Sequence, residues 1–96
     1  MHVLTKKPLV AFWNRYPDSE GSLTAWYREM RTGKFTTFNE LRAVFPKADK
    51  VGNKIIFNIG GNKYRLIAVI HFNRGKVFVR SVLTHKDYDQ GKWKYD

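Results

Sequence analysis

A chain of 96 residues and 11.3 kDa, 43% apolar and 16% aromatic, can bury one core and is too hydrophobic for a disordered tail, so a single domain over residues 1–96 is expected. Zero cysteines exclude a disulfide framework, a thiolate nucleophile and any cysteine-based zinc site; the scattered His2, His71 and His85 make a poor metal set, and no apolar run nears the roughly 18 residues of a membrane span. Eighteen Lys and Arg against eight Asp and Glu give a net charge of +10, divided between both halves of the chain, so the charge belongs to the folded surface and nucleic acid leads as partner.

The opening "MHVLTKKPLVAFW" has too short an apolar region for a secretory signal, which points to a soluble, cytoplasmic protein. "HVL" is a brief apolar start. Thr5 is an N-cap candidate for a helix over Lys6–Arg15, with Pro8 in its first turn and Leu9, Phe12, Trp13 and Tyr16 on one side. Pro17 ends it. Asp18 or Ser19 can cap a second helix in which Leu23, Trp26, Tyr27 and Met30 recur at helical spacing until Gly33. "FNELRAVFP" predicts a short third helix, with Asn39 as cap, Leu41, Val44 and Phe45 on one face, and Pro46 as its stop. These aromatics sit at core spacing rather than forming a base-stacking platform.

From "KVGNKIIFNI" onward the pattern changes. That segment, "KYRLIAVIHF" and "KVFVRSVLT" are rich in β-branched and aromatic residues, and "GGN" and "NRG" punctuate them as hairpin turns. The expected fold is therefore α+β, with N-terminal helices on a three- to four-stranded, mainly antiparallel sheet. Alternation places Leu66, Ala68, Ile70 and Phe72 on one face, and Arg65, Ile67, Val69 and His71 on the other, a partly covered concave surface. In the last strand, Arg80 is expected to share a face with Phe78 and Val82.

Pairing Ile70 with Val77 or Phe78 across the "NRG" hairpin brings Arg65 near Leu83 and Thr84, close to the loop at His85, with Arg80 one or two residues away. Arginine forks hold phosphate oxygens at two points and stay charged at every working pH. Taken singly, Arg80 also reads as a strand arginine lying over apolar neighbours, and His85 as a solvated strand end. Together, Arg65, Arg80, His85, Lys86 and Tyr88 near one sheet end shift the balance towards a phosphate-handling cluster, whose chemistry would be run by cations, imidazole and phenol. Lys54, Asn62, Lys63 and Arg74 are RNA-binding candidates flanking it, although lysines at a strand edge also defend against edge pairing. Asp87 and Asp89 can orient His85 or Lys86, or start a terminal helical turn. "KWKYD" can pack on the sheet, reach into the groove or stay disordered.

The blocks "IFNIGGNKYRLIAVIHF" and "VRSVLTHKDYD", inside Ala43 to Asp89, closely resemble the hallmark motifs of the HigB toxin family in the RelE-like superfamily of bacterial type II toxin–antitoxin systems. That resemblance implies a RelE-like fold and a ribosome-dependent mRNA endonuclease that inhibits translation and causes growth arrest, with no metal and no cofactor. It also implies mRNA and the ribosome as targets, a cognate helix-turn-helix antitoxin similar to HigA, and an oligomeric toxin–antitoxin complex. Carried over by motif position, Arg65 and Arg80 would stabilise charge on the scissile phosphate. His85 would join the catalytic set, with Tyr88 and Lys86 nearby. The alternative from the residues themselves is a non-catalytic basic RNA- or DNA-binding module, which would need exposed aromatics on the sheet face.

Overall fold

A computed structural model describes residues 1–95, so Asp96 of "KWKYD" lies outside the described residues. In chain order the elements are β1 (His2–Val3), α1 (Lys7–Arg15), a 3-10 turn (Pro17–Ser19), α2 (Glu20–Thr32), α3 (Phe38–Val44), β2 (Asp49–Val51), β3 (Lys54–Ile59), β4 (Tyr64–His71), a 3-10 turn (Phe72–Arg74), β5 (Lys76–Thr84), α4 (His85–Asp89) and a 3-10 turn (Lys92–Tyr95). The fold is α+β. Its sheet has five strands in the order β1-β5-β4-β3-β2, antiparallel throughout except where β1 runs parallel to β5.

The five strands exceed the expected three or four for local reasons. "KVGNKIIFNI" folds back on itself at Gly52, whose φ of 61° is open to glycine at little cost, so one predicted strand becomes β2 and β3. "HVL" is too short to carry a periodic signal, and becomes β1 only because the edge of β5 accepts it.

The helices form where their apolar stripes predict. Leu9, Leu23, Trp26, Met30 and Leu41 are buried, and Phe12, Trp13, Tyr16, Tyr27 and Phe45 pack against them. Their caps differ from expectation. Lys6, not Thr5, is the N-cap of α1, and the Thr5 hydroxyl accepts a bond from the Lys7 N–H at 3.3 Å. Neither Asp18 nor Ser19 caps α2 through its side chain; the Ser19 hydroxyl donates instead to the Tyr16 carbonyl at 2.7 Å. Thr37, not Asn39, caps α3: its hydroxyl accepts the Glu40 N–H while the Glu40 carboxylate reaches back to the N–H and hydroxyl of Thr36, a reciprocal box that competes better than a lone asparagine. Phe38, Leu41 and Phe45 meet the core from α3 and its end, and Val44 stands 48% exposed.

The helices cover one sheet face, where Ile55, Phe57, Ile59, Leu66, Ala68, Val77 and Val79 are buried. The opposite face carries a second, smaller apolar cluster in which Ile56 and Ile67 lie under Trp93, with Leu83 and Tyr88 beside them. The C-terminal segment therefore packs on the sheet. Burying a tryptophan there removes a large apolar area from water, at about 25 cal/mol per Å2.

A bulge in β5 overturns the expected alternation. Ile67 pairs with Ser81 but Ala68 pairs with Val79, leaving Arg80 as the extra residue. Phe78 and Val82 consequently lie on opposite faces, with Val82 on the main core and Leu83 on the smaller cluster. Arg80 shares a strand with both and a simple alternating face with neither. Among the described residues, no helix is long and apolar enough to cross a membrane.

Candidate active site

The β4–β5 register brings the two motifs to one end of the sheet. Ile70 faces Val77, as one of the expected pairings has it, and the bulge moves the partner of Arg65 from Val82 to Leu83, with Tyr64 facing Thr84. The chain then turns directly into α4. Thr84 is extended, and its hydroxyl accepts the Asp87 N–H at 3.2 Å, which starts the helix at His85. The His85 N–H donates to the Lys63 carbonyl at 3.1 Å, so the helix is tied to the "GGN" turn. That turn needs both its glycines, since Gly60 and Gly61 have φ of 61° and 70° in succession.

Arg65 is held on three sides. Its guanidinium donates to the carbonyls of Asn62 at 3.1 Å and Tyr64 at 3.0 Å, and lies 5.3 Å from the centre of the Tyr88 ring. Tyr88 is itself stacked on Trp93, with ring centres 5.1 Å apart and planes 9° from parallel, and its carbonyl accepts the Trp93 indole N–H at 2.9 Å. Each layer restricts the rotamers of the one above. The arginine is pre-oriented by packing that begins in the small apolar cluster, which cuts the entropy lost when it meets an anion.

His85 pairs through Nδ1 with a carboxylate oxygen of Asp89, one helical turn on, at 2.9 Å. With Nδ1–H donated to that carboxylate, Nε2 has no hydrogen-bond partner among the described residues. Asp89 thus both belongs to the terminal helical turn and orients the histidine. Lys86 and Arg80 are exposed, and among the described residues neither side chain has a hydrogen-bonding or ion-pair partner. Because the bulge takes up a residue, the residue facing Arg65 is Leu83, three on from Arg80, instead of Val82, two on.

Two of the flanking candidates are elsewhere. Lys54 is only 6% exposed, and its ammonium donates to the Trp93 carbonyl at 2.7 Å, so it tethers the C-terminal segment instead of lining a groove. The physical reason is period two: Lys54 shares a face with Ile56, and that face is covered. Arg74 lies in the turn at the opposite end of β4 and β5, far along the sheet from Thr84. Asn62 is at the site, where its carbonyl accepts from Arg65 and its side chain accepts the Asn58 amide at 3.4 Å. Trp93 is buried, so it is closed to base stacking. Among the described residues, no three His, Asp or Glu side chains gather as a metal-holding group.

One residue was missed at the sequence level. Asp18, read as a helix cap, accepts from the Lys63 ammonium at 2.8 Å and from the Tyr64 hydroxyl at 2.7 Å, pinning the site's turn to the helical layer 45 residues away in sequence. Only a pairing that distant would have revealed it, and no local pattern encodes one. The Lys63 ammonium and then the Tyr64 phenol hold the Asp18 carboxyl below its ordinary value, while Asp18 raises both Lys63 and Tyr64. A lowered carboxyl stabilises the fold fully above about pH 3.9 and loses that contribution as pH falls through its folded value. The raised lysine and phenol stabilise below about pH 10 and lose it as pH rises further. Asp18→Asn is therefore expected to destabilise the protein at neutral pH, with the gap to wild type narrowing below about pH 4 and above about pH 10. Urea unfolding at a series of pH values checks this, and a gap independent of pH contradicts it.

Comparison with known proteins shows the family. Residues 19–91 match the model of the HigB toxin family, described as the RelE-like toxic component of a toxin–antitoxin system. The chain is 36% identical over 92 residues to the mRNA interferase toxin HigB of Escherichia coli K12, covering 93% of this chain and 88% of that protein. The mRNA interferase HigB of Shigella flexneri matches to the same extent. That of Escherichia coli O6:H1 is 34% identical over 93 residues, covering 94% and 90%. With both motifs at one sheet end and the family match spanning most of the chain, the protein belongs to the HigB family of RelE-like toxins.

Proposed function

We propose that this chain, acting as one toxin domain in the cytoplasm, is an mRNA endonuclease that cuts message on the translating ribosome without a metal ion. The observation that carries the reading is the seating of α4 on the end of the β4–β5 hairpin, which sets the His85–Asp89 pair at the same sheet end as the pre-oriented Arg65. The names of its relatives support the substrate. A net charge of +10 supports docking on ribosomal RNA by salt-sensitive contacts.

The step follows from the groups present. The ribose 2′-oxygen attacks the adjacent phosphorus and gives its proton to a base. The bond from phosphorus to the 5′-oxygen breaks, and that oxygen takes a proton from an acid. His85, with Nε2 unpartnered among the described residues, is the proton-transfer group, and Lys86 is the cation closest to it in sequence. Arg65 and Arg80 neutralise charge building on the phosphate oxygens. Tyr88 positions Arg65 rather than moving a proton. Asn62 and Lys63 brace the turn beneath the substrate. A helix-turn-helix antitoxin, in an oligomeric complex, would neutralise the toxin.

A message carrying a single 2′-deoxynucleotide at the cleavage position tests this chemistry. On ribosomes, the all-ribose message is expected to yield a 2′,3′-cyclic phosphate and a 5′-hydroxyl, and the substituted one to stay intact. Cutting of the deoxy message would assign the attack to water instead. Omitting ribosomes is expected to abolish cleavage.

A further inference from the structure

Beside α4, on the side away from the His85–Asp89 pair, a cavity of about 220 Å3 is lined by Ser81, Leu83, Asp87, Gln90, Lys92 and Trp93. Leu83 and the edge of Trp93 form its apolar wall. Asp87 and Gln90 are three apart and share one face of the helical turn, whereas His85 and Asp89 share another. The Asp87 carboxylate, the Gln90 amide, the Lys92 ammonium and the Ser81 hydroxyl make no hydrogen bond or ion pair with the described residues. The nuclease chemistry above uses none of these four.

We propose that this cavity is a subsite for one unpaired nucleobase of the message, and that the base is guanine. The inference rests on the nuclease reading. At 220 Å3 the cavity is smaller than a drug-sized ligand needs, and fits one planar ring between an apolar wall and a polar rim. In single-stranded RNA the Watson–Crick edge is free to be read. A carboxylate only accepts, and its two oxygens match two parallel N–H donors. Guanine alone offers that pair, from N1 and the exocyclic N2, while adenine and cytosine offer one amino group and uracil one ring N–H. Gln90 or Lys92 is then placed to donate to guanine O6. Ser81 follows Arg80 directly in β5, and Asp87 follows Lys86 in α4, so the cavity is lined by the chain neighbours of two of the proposed phosphate cations.

The test uses four messages differing only in the base at a position flanking the scissile phosphate, cut on translating ribosomes by wild type, Asp87→Asn and Gln90→Ala. Wild type is expected to favour guanine by about 5- to 150-fold, the range of one good two-point contact. Asp87→Asn, which replaces an acceptor oxygen with a donor, should bring the guanine-to-adenine ratio close to one, and Gln90→Ala should lower it in part. Equal cutting of all four bases by wild type overturns the guanine subsite and leaves the nuclease reading standing. So does a guanine ratio unchanged in both variants, or loss of all cleavage by a folded Asp87→Asn. A wild type that cuts no message overturns the nuclease reading and the subsite with it.

Discussion

His85→Ala is expected to lower ribosomal message cleavage by about 100- to 10,000-fold, the usual contribution of a positioned acid or base, while the protein stays folded. Its side chain is about half exposed and its one partner, Asp89, is also at the surface, so removing it leaves no cavity and no buried orphan. The backbone N–H that ties α4 to Lys63 survives the substitution. Arg80→Ala should likewise abolish growth arrest without unfolding. The Arg80 side chain has no hydrogen-bond or ion-pair partner among the described residues to lose, so its removal is expected to leave the fold intact. The measurement is primer extension on message from cells briefly expressing each variant, beside a thermal melt of the purified protein. A folded His85→Ala that still cuts message transfers the proton to another group, with Lys86 the first to examine.

Trp93→Ala is expected to cost about 3–5 kcal/mol, a large part of the roughly 5–15 kcal/mol that holds a domain of this size. Trp93 is 4% exposed and roofs Ile56 and Ile67, with Leu83 and Tyr88 packed against the same cluster. The melting temperature should fall by about 12 °C or more. A second effect follows from the stacking. Without the indole, Tyr88 loses its ring partner, and Arg65 loses the support beneath its guanidinium. Cleavage at a temperature where the variant is still folded should therefore drop, and Trp93→Phe should recover part of both losses. Activity equal to wild type in a folded Trp93→Ala would show that Arg65 is held well enough by its two carbonyls.

Much of the site was readable because its two motifs are adjacent across a hairpin. Once strands alternate and "NRG" turns the chain, Arg65 must fall within about a residue of Leu83, and the observed pairing with Leu83 itself is set by the bulge. The bulge at Arg80 was not readable. An extra residue in one strand costs little locally and has no marker in "VFVRSVLT", yet it moves Val82 to one face and Leu83 to the other. Lys54 shows the same limit. Its alternation was legible, but the segment that covers its face comes 39 residues later.

By itself the sequence determined the helices, the meander, the hairpin register to within about a residue, the basic surface and the kinship carried by two motifs, because all of these follow from short-range periodicity, turn chemistry and composition. Tertiary structure alone decided that Trp93 closes the second sheet face, that Asp18 pins the site's turn, that Lys54 is a tether, and that Tyr88 orients Arg65. Those are contacts between segments far apart in the chain, and a side chain's own neighbours in sequence do not say which distant group will satisfy its charge or cover its apolar area.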